Sequence, residues 1–321
     1  MKLWASLVKM LQSVNSTTHS PVLAYITRER VKEIESFPQN GNTGQFVRSC
    51  IRDIKEKAEK CATRIDDIDL QMALKDRFAE LLMFVRLSGK CSIEKVPETT
   101  KKTPDFRVHG YGSLFIEFKA LSFVDGAFNY RNAMLEALDN KIEMESKVKA
   151  GARVAVTAQT IQPFLKSGRE KRYDPRSISM AVEALIDKIV QNIKPEQLTH
   201  GPTLLLVDLE QFALPARNNE LLARELFSVV SDEWHSGVLW HVAFGRAGMQ
   251  LKKMVDFKGL DTSDKPLERD GVLWKYPRLQ GLIVSYRDRF LGLALRRKSN
   301  INIIQFVEQI CSDSVFESEQ S

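Results

Sequence analysis

Between Thr103 and Ala120 the chain reads T-P-D-F-R-V-H-G-Y-G-S-L-F-I-E-F-K-A, two runs of strand-forming residues around Gly110, Tyr111 and Gly112. Glycines supply the positive φ that a tight turn needs, so the stretch predicts a β-hairpin. Centred on Tyr111, the turn pairs Phe106 with Ile116 and Val108 with Leu114, and four apolar side chains share one face. The same register sets Asp105 opposite Glu117 on the other face, with Lys119 two residues further along. Opposed Cβ atoms in such a pair stand about 4.5–5.5 Å apart. Two carboxylates at that spacing can share a hard divalent cation while an ammonium stands beside it.

That trio has a chemistry. Magnesium takes oxygen ligands, usually one or two carboxylates, and fills its octahedron with waters and substrate phosphates. An ion so held activates water and screens an attacked phosphodiester. Lys119 is a compact cation able to hold the attacking water or offset transition-state charge.

The order Pro104-Asp105, eleven residues, then Glu117-x-Lys119 resembles the PD-(D/E)XK nuclease superfamily, the restriction-endonuclease-like fold. The resemblance spans Glu80 to Lys119. It implies a mixed β-sheet flanked by helices, entered through a helix and a β-meander. It also implies that Asp105 and Glu117 bind magnesium or manganese, that Lys119 assists the nucleophile, and that Glu80, on the preceding helix, is a supporting ligand. The expected activity is metal-dependent endonucleolytic hydrolysis of DNA, of a restriction, phage-defence, transposition or repair type. The alternative is a non-catalytic nucleic-acid- or protein-binding module on the same fold; the joint presence of Asp, Glu and Lys argues for catalysis.

Length and charge bound this reading. The 321 residues are 43% hydrophobic, enough for a substantial core, and 47 basic against 41 acidic side chains leave a net +6. That excess permits a polyanionic partner only where it is clustered. The densest cluster is Lys166 to Arg176, K-S-G-R-E-K-R-Y-D-P-R, where Lys166, Arg169, Lys171, Arg172 and Tyr173 are candidates to grip a phosphate backbone or stack on a base. Cys50, Cys61, Cys91 and Cys311 are widely spaced without metal-site spacing, which points to free thiols and a cytoplasmic setting. No apolar run approaches the roughly 20 residues of a membrane span, and Trp4, Leu7, Val8 and Leu11 fall on one stripe of a docking helix.

Patterning predicts an α/β protein with a helical N-terminal addition: helical residues 1–65, a nuclease-like α/β domain over 66–311 and an acidic tail over 312–321. The N-terminal helices are left for a protein partner or homo-oligomer contact. Gly41 to Gly44 reads as a break before a helix over Gln45 to Ala62, and a second helix covers Asp66 to Leu87. Cys91 to Val96 and Arg153 to Ala158 read as strands. Helices follow over Arg131 to Lys149, Ser177 to Ile193 and Asn219 to Trp234, and buried strands over Thr203 to Leu209 and Val238 to Phe244. Gln280 to Ser285 and Phe290 to Leu295 supply late strands before a closing helix over Ile301 to Cys311. Asp208 and Glu210 mark the point where a buried strand meets solvent.

Overall fold

The computed structural model describes the chain apart from residues 1–2, 18–19, 21, 39, 66, 98–101, 122–125, 157–177, 213, 215–220, 229–232, 252–265, 297–300 and 319–321. Among the described residues, four α-helices and one 3-10 turn (Leu23–Tyr25) precede the first strand. α1 (Leu3–Thr17) buries Leu3, Leu7, Met10 and Val14. α2 (Arg28–Ser36) is capped by the Thr27 hydroxyl, which accepts the Arg30 N–H. α3 (Gly41–Thr63) begins where a break was expected: Gly41 takes φ +66°, which its missing Cβ permits, and the Gly44 N–H bonds the Asn40 carbonyl to start the ladder. α4 (Ile68–Ser88) starts at Asp67, whose carboxylate accepts the Leu70 N–H. Leu74, Phe78, Leu81 and Phe84 of α4 are fully buried.

The sheet opens with an antiparallel meander. β1 (Ile93–Lys95) pairs with β2 (Phe106–Val108), and β2 with β3 (Leu114–Ala120). The β2–β3 register pairs Phe106 with Ile116 and Val108 with Leu114, as the turn glycines require; Gly110 and Gly112 sit at φ +88° and +72°. Two helices, α5 (Gly126–Lys149) and α6 (Ile178–Asn192), then lead to β4 (Thr203–Asp208), which lies parallel to β3 and carries no exposed residue.

A two-stranded sheet follows, β5 (Leu226–Ser228) with β6 (Glu233–His235), where the sequence suggested a helix over Asn219 to Trp234. Leu226, Phe227 and Trp234 favour extended pairing, and aromatic side chains lose χ1 freedom in a helix. The opposite error occurs at Val238 to Phe244. This run forms helix α7 (Val238–Phe244), buried on every side. Periodicity cannot separate a strand from a helix in a seven-residue apolar run buried all round.

After α8 (Val272–Lys275), β7 (Leu279–Tyr286) and β8 (Arg289–Arg296) form a hairpin through Arg287 and Asp288, both at positive φ. α9 (Ile301–Ile310) returns the chain to β9 (Asp313–Ser318), parallel to β8. The expected acidic tail is therefore an edge strand over these six residues: backbone pairing with β8 needs no apolar side chains, so its polar sequence hid it. The sheet runs β1-β2-β3-β4-β7-β8-β9. Residues 153–156, read as part of a strand, carry no strand pairing, and Val154 and Val156 are exposed. Both edges of β3 are already taken, by β2 and β4.

Two cores cover the sheet. Leu114, Ile116 and Phe118 face α1–α4 and α9, with Phe106, Val108, Leu204, Leu206 and Ile283. On the other face, Leu205, Val207, Leu282 and Val284 meet α6, α7 and α8. The buried apolar residues of α1, α2 and α3 belong to the same core as α4 and the α4-side face of the sheet.

Candidate functional site

Strand alternation decides what β3 presents. With Leu114, Ile116 and Phe118 in the α4-side core, Glu117 and Lys119 project to the opposite face. There Glu117 is 1% exposed. The Lys119 Nζ lies 2.5 Å from Glu117 Oε1, yet neither carboxylate oxygen of Glu117 receives a hydrogen bond of acceptable angle among the described residues. The contact is a close ion pair.

Asp105 sits one residue before β2. Its Oδ2 accepts the Phe118 N–H at 2.9 Å, so the side chain extends the β2–β3 ladder and fastens itself to the peptide after Glu117. Burial first, and then the neighbouring Asp105 charge, push the Glu117 carboxyl up to about 7 against the pull of Lys119.

The other oxygen of Asp105 faces a residue that the sequence reading did not select. Lys95 Nζ donates to Asp105 Oδ1 at 2.8 Å and to Glu80 Oε1 at 2.7 Å. Arg77 takes the second oxygen of Glu80 at 2.6 Å and also contacts Asp53 at 3.1 Å. Burial alone would raise the Glu80 carboxyl, but Lys95 and Arg77 outweigh it and hold it below its ordinary range. Lys95 stands over the Phe106 ring at 5.2 Å and the Phe46 ring at 5.9 Å.

The structure thus brings Asp105, Glu117 and Lys119 together at one end of the hairpin and reaches Glu80 only through Lys95. α4 lies on the face of the sheet opposite Glu117; both Glu80 oxygens are engaged by Lys95 and Arg77, and both Asp105 oxygens by Lys95 and the Phe118 N–H. Among the described residues no three His, Cys, Asp or Glu side chains converge on one metal position. Two carboxylate ligands with waters and phosphate oxygens would still satisfy a magnesium ion, and Asp105 and Glu117 are oxygen donors of the kind it takes. The acid pair therefore fits a hard divalent cation. Lys95 was legible in principle: if Ile93 opposes Val108, Lys95 must oppose Phe106 and share its face.

A second polar cluster lies at the C-terminal ends of β4 and β7. Asp208, expected at the solvent boundary, is 1% exposed, and its Oδ2 accepts the Tyr25 hydroxyl at 2.6 Å. Burial, reinforced by Asp208, raises the Tyr25 phenol well above its usual range. Glu210 accepts from Arg30, Ser285 and the Asp288 N–H, while Arg86 joins Glu33 to Asp288. Tyr25, Arg30, Glu33, Arg86, Glu210 and Asp288 line a cleft of about 630 Å³, and the pairs fasten the N-terminal helices to the sheet.

The basic candidates Lys166, Arg169, Lys171, Arg172 and Tyr173 lie outside the described residues. His109, at the hairpin tip, is half exposed and stands 3.5 Å from Glu94, away from the acid pair. All four cysteines are free thiols. No described helix is long and apolar enough to cross a membrane. Comparison with family profiles, with curated proteins and with solved structures found no match to this chain.

Proposed function

We propose that the chain is a magnesium- or manganese-dependent nuclease of PD-(D/E)XK type that hydrolyses phosphodiester bonds in DNA. One observation carries the reading: a carboxylate, Glu117, is 1% exposed, paired with the Lys119 ammonium at 2.5 Å, and raised in pKa by burial and by the charge of a second acid, Asp105. Burial and a neighbouring acid both disfavour the charged form of Glu117, and a divalent cation held by Asp105 and Glu117 would offset that penalty. The fold order supports the same reading. Helix α4, the antiparallel β1–β3 meander, a helical crossover and β4 parallel to β3 follow the sequence of elements expected of a restriction-endonuclease-like core.

In this reading Asp105 and Glu117 hold the ion, which when bound lowers the pKa of water and screens charge on the phosphodiester. Asp105 is pre-positioned by the Phe118 N–H and does not reorganise to bind. Lys119 orients the attacking water and offsets charge as the leaving oxygen departs. Glu80 acts through Lys95, keeping its ammonium against Asp105. The basic segment over residues 166–176 suits contact with the phosphate backbone by its composition.

The test is direct. Purified protein is incubated with supercoiled plasmid, linear duplex, single-stranded DNA and RNA, each with magnesium, manganese or EDTA. Metal-dependent cleavage that Asp105→Ala abolishes, with the fold retained, is the expected result. Absence of cleavage under every metal condition, with Lys119→Ala indistinguishable from the unaltered chain, overturns the enzyme reading and leaves a nucleic-acid- or protein-binding module.

A further inference from the structure

We propose that Lys95 permanently fills the second cation position of this site, so that the protein takes one divalent ion and uses a side-chain ammonium where a two-metal enzyme places its other ion. The inference rests on the nuclease reading of Asp105 and Glu117. Its own basis is the geometry around Lys95. Two-metal sites share a carboxylate between cations about 3.5–4 Å apart. Here Asp105 is the shared carboxylate: one oxygen, Oδ1, meets the Lys95 ammonium, and that ammonium also meets Glu80 Oε1 at 2.7 Å. Glu80 and Asp105 therefore already bracket a cation.

That cation is built into the fold. β1 pairing sets Lys95 opposite Phe106, and its ammonium stands over both Phe106 and Phe46, so aromatic faces hold it from below while the acids hold it from the side. Arg77, 5.8 Å from the Phe46 ring, ties down the far oxygen of Glu80. A second divalent ion would have to displace Lys95 from two carboxylates and two rings. Among the described residues, Glu117 forms an ion pair with a single ammonium, that of Lys119.

The experiment counts ions. Manganese is titrated into the purified, chelator-treated protein, and free Mn²⁺ is followed by its electron paramagnetic resonance signal. The unaltered chain should bind one Mn²⁺. Lys95→Met keeps the stem and removes the charge; it should bind two, with dipolar broadening between them, and adding Glu80→Gln should return the count to one. Circular dichroism checks that each variant is folded. Two ions in the unaltered chain, or a single ion in folded Lys95→Met, overturns the proposal and leaves the nuclease reading intact. No Mn²⁺ bound by any form overturns both. If Lys95→Met does not fold, Lys95→Gln takes its place in the same count.

Discussion

Glu117 gives the sharpest prediction, because the fold burdens it in a way that depends on pH. Burial and the nearby Asp105 move its carboxyl from an ordinary 4.5 up to about 7, even with Lys119 and Lys95 opposing them. The unfolded chain keeps the ordinary value, so the folded state binds this proton more tightly. Below about pH 4 both states are protonated and the group contributes no difference. As pH rises from 4.5 through 7 the unfolded chain loses its proton first, and folding becomes less favourable. Above pH 7 the penalty levels off at about 3 kcal/mol, following from 1.36 kcal/mol for each pKa unit. Glu117→Gln mimics the protonated acid and escapes the penalty. In EDTA, urea denaturation should find Glu117→Gln more stable than the unaltered chain by about 3 kcal/mol at pH 8, with the gain vanishing at pH 4. Asp105→Asn should reduce the pH dependence, since it removes the charge that adds to burial. Saturating manganese should raise the stability of the unaltered chain at pH 8 but not that of Glu117→Gln. A stability gap between Glu117→Gln and the unaltered chain that is equal at pH 4 and pH 8 would refute the electrostatic account of the site.

Other outcomes follow from single contacts. Lys119→Ala should slow single-turnover cleavage about 10²–10³-fold, the usual cost of removing one donor from a developing charge, while the melting curve stays cooperative. Tyr25→Phe leaves Asp208 buried without its phenol donor and should cost about 1–3 kcal/mol in urea denaturation. Gly292→Ala would drive a Cβ into the Val307 side chain of α9, so the packing of α9 on β8 must shift. A loss of about 1–3 kcal/mol by the same measurement is expected, and none at all would mean that α9 is not packed there.

The hairpin register was legible because two independent constraints, turn glycines and alternating apolar residues, had to agree. Thr203 to Leu209 and Gln280 to Ser285 were readable as strands for a related reason: continuous apolar runs of that length suit a sheet covered on both faces. Val238 to Phe244 has the same look and is a helix, since burial on all sides removes the polar face that would reveal the period. Asp313 to Ser318 failed in reverse, as a polar edge strand held by backbone pairing with β8. At the site, Asp105, Glu117 and Lys119 were found from one another. Lys95 and Arg77 were not, because their importance comes from what α3 and α4 bring beside them, Phe46 and Glu80. Likewise Asp208 looked like a strand end at the surface until the turn carrying Tyr25 covered it.

The meander has a consequence for folding order. The site residues Glu80, Lys95, Asp105, Glu117 and Lys119 are close neighbours in the chain, whereas β4 pairs with β3 only after a long excursion through α5 and α6. Closing that loop is entropically slow compared with forming a local hairpin. Residues up to Lys119 can therefore adopt their register while β4 is still unpaired. Glu117, directly opposite Leu205, stays open to water during that interval. Its burial, and with it the proton affinity that sets the pH dependence, arises late, when β4 arrives. Refolding followed by a probe of the hairpin and by a probe of Glu117 ionisation should accordingly give two different rates, the second set by the arrival of β4.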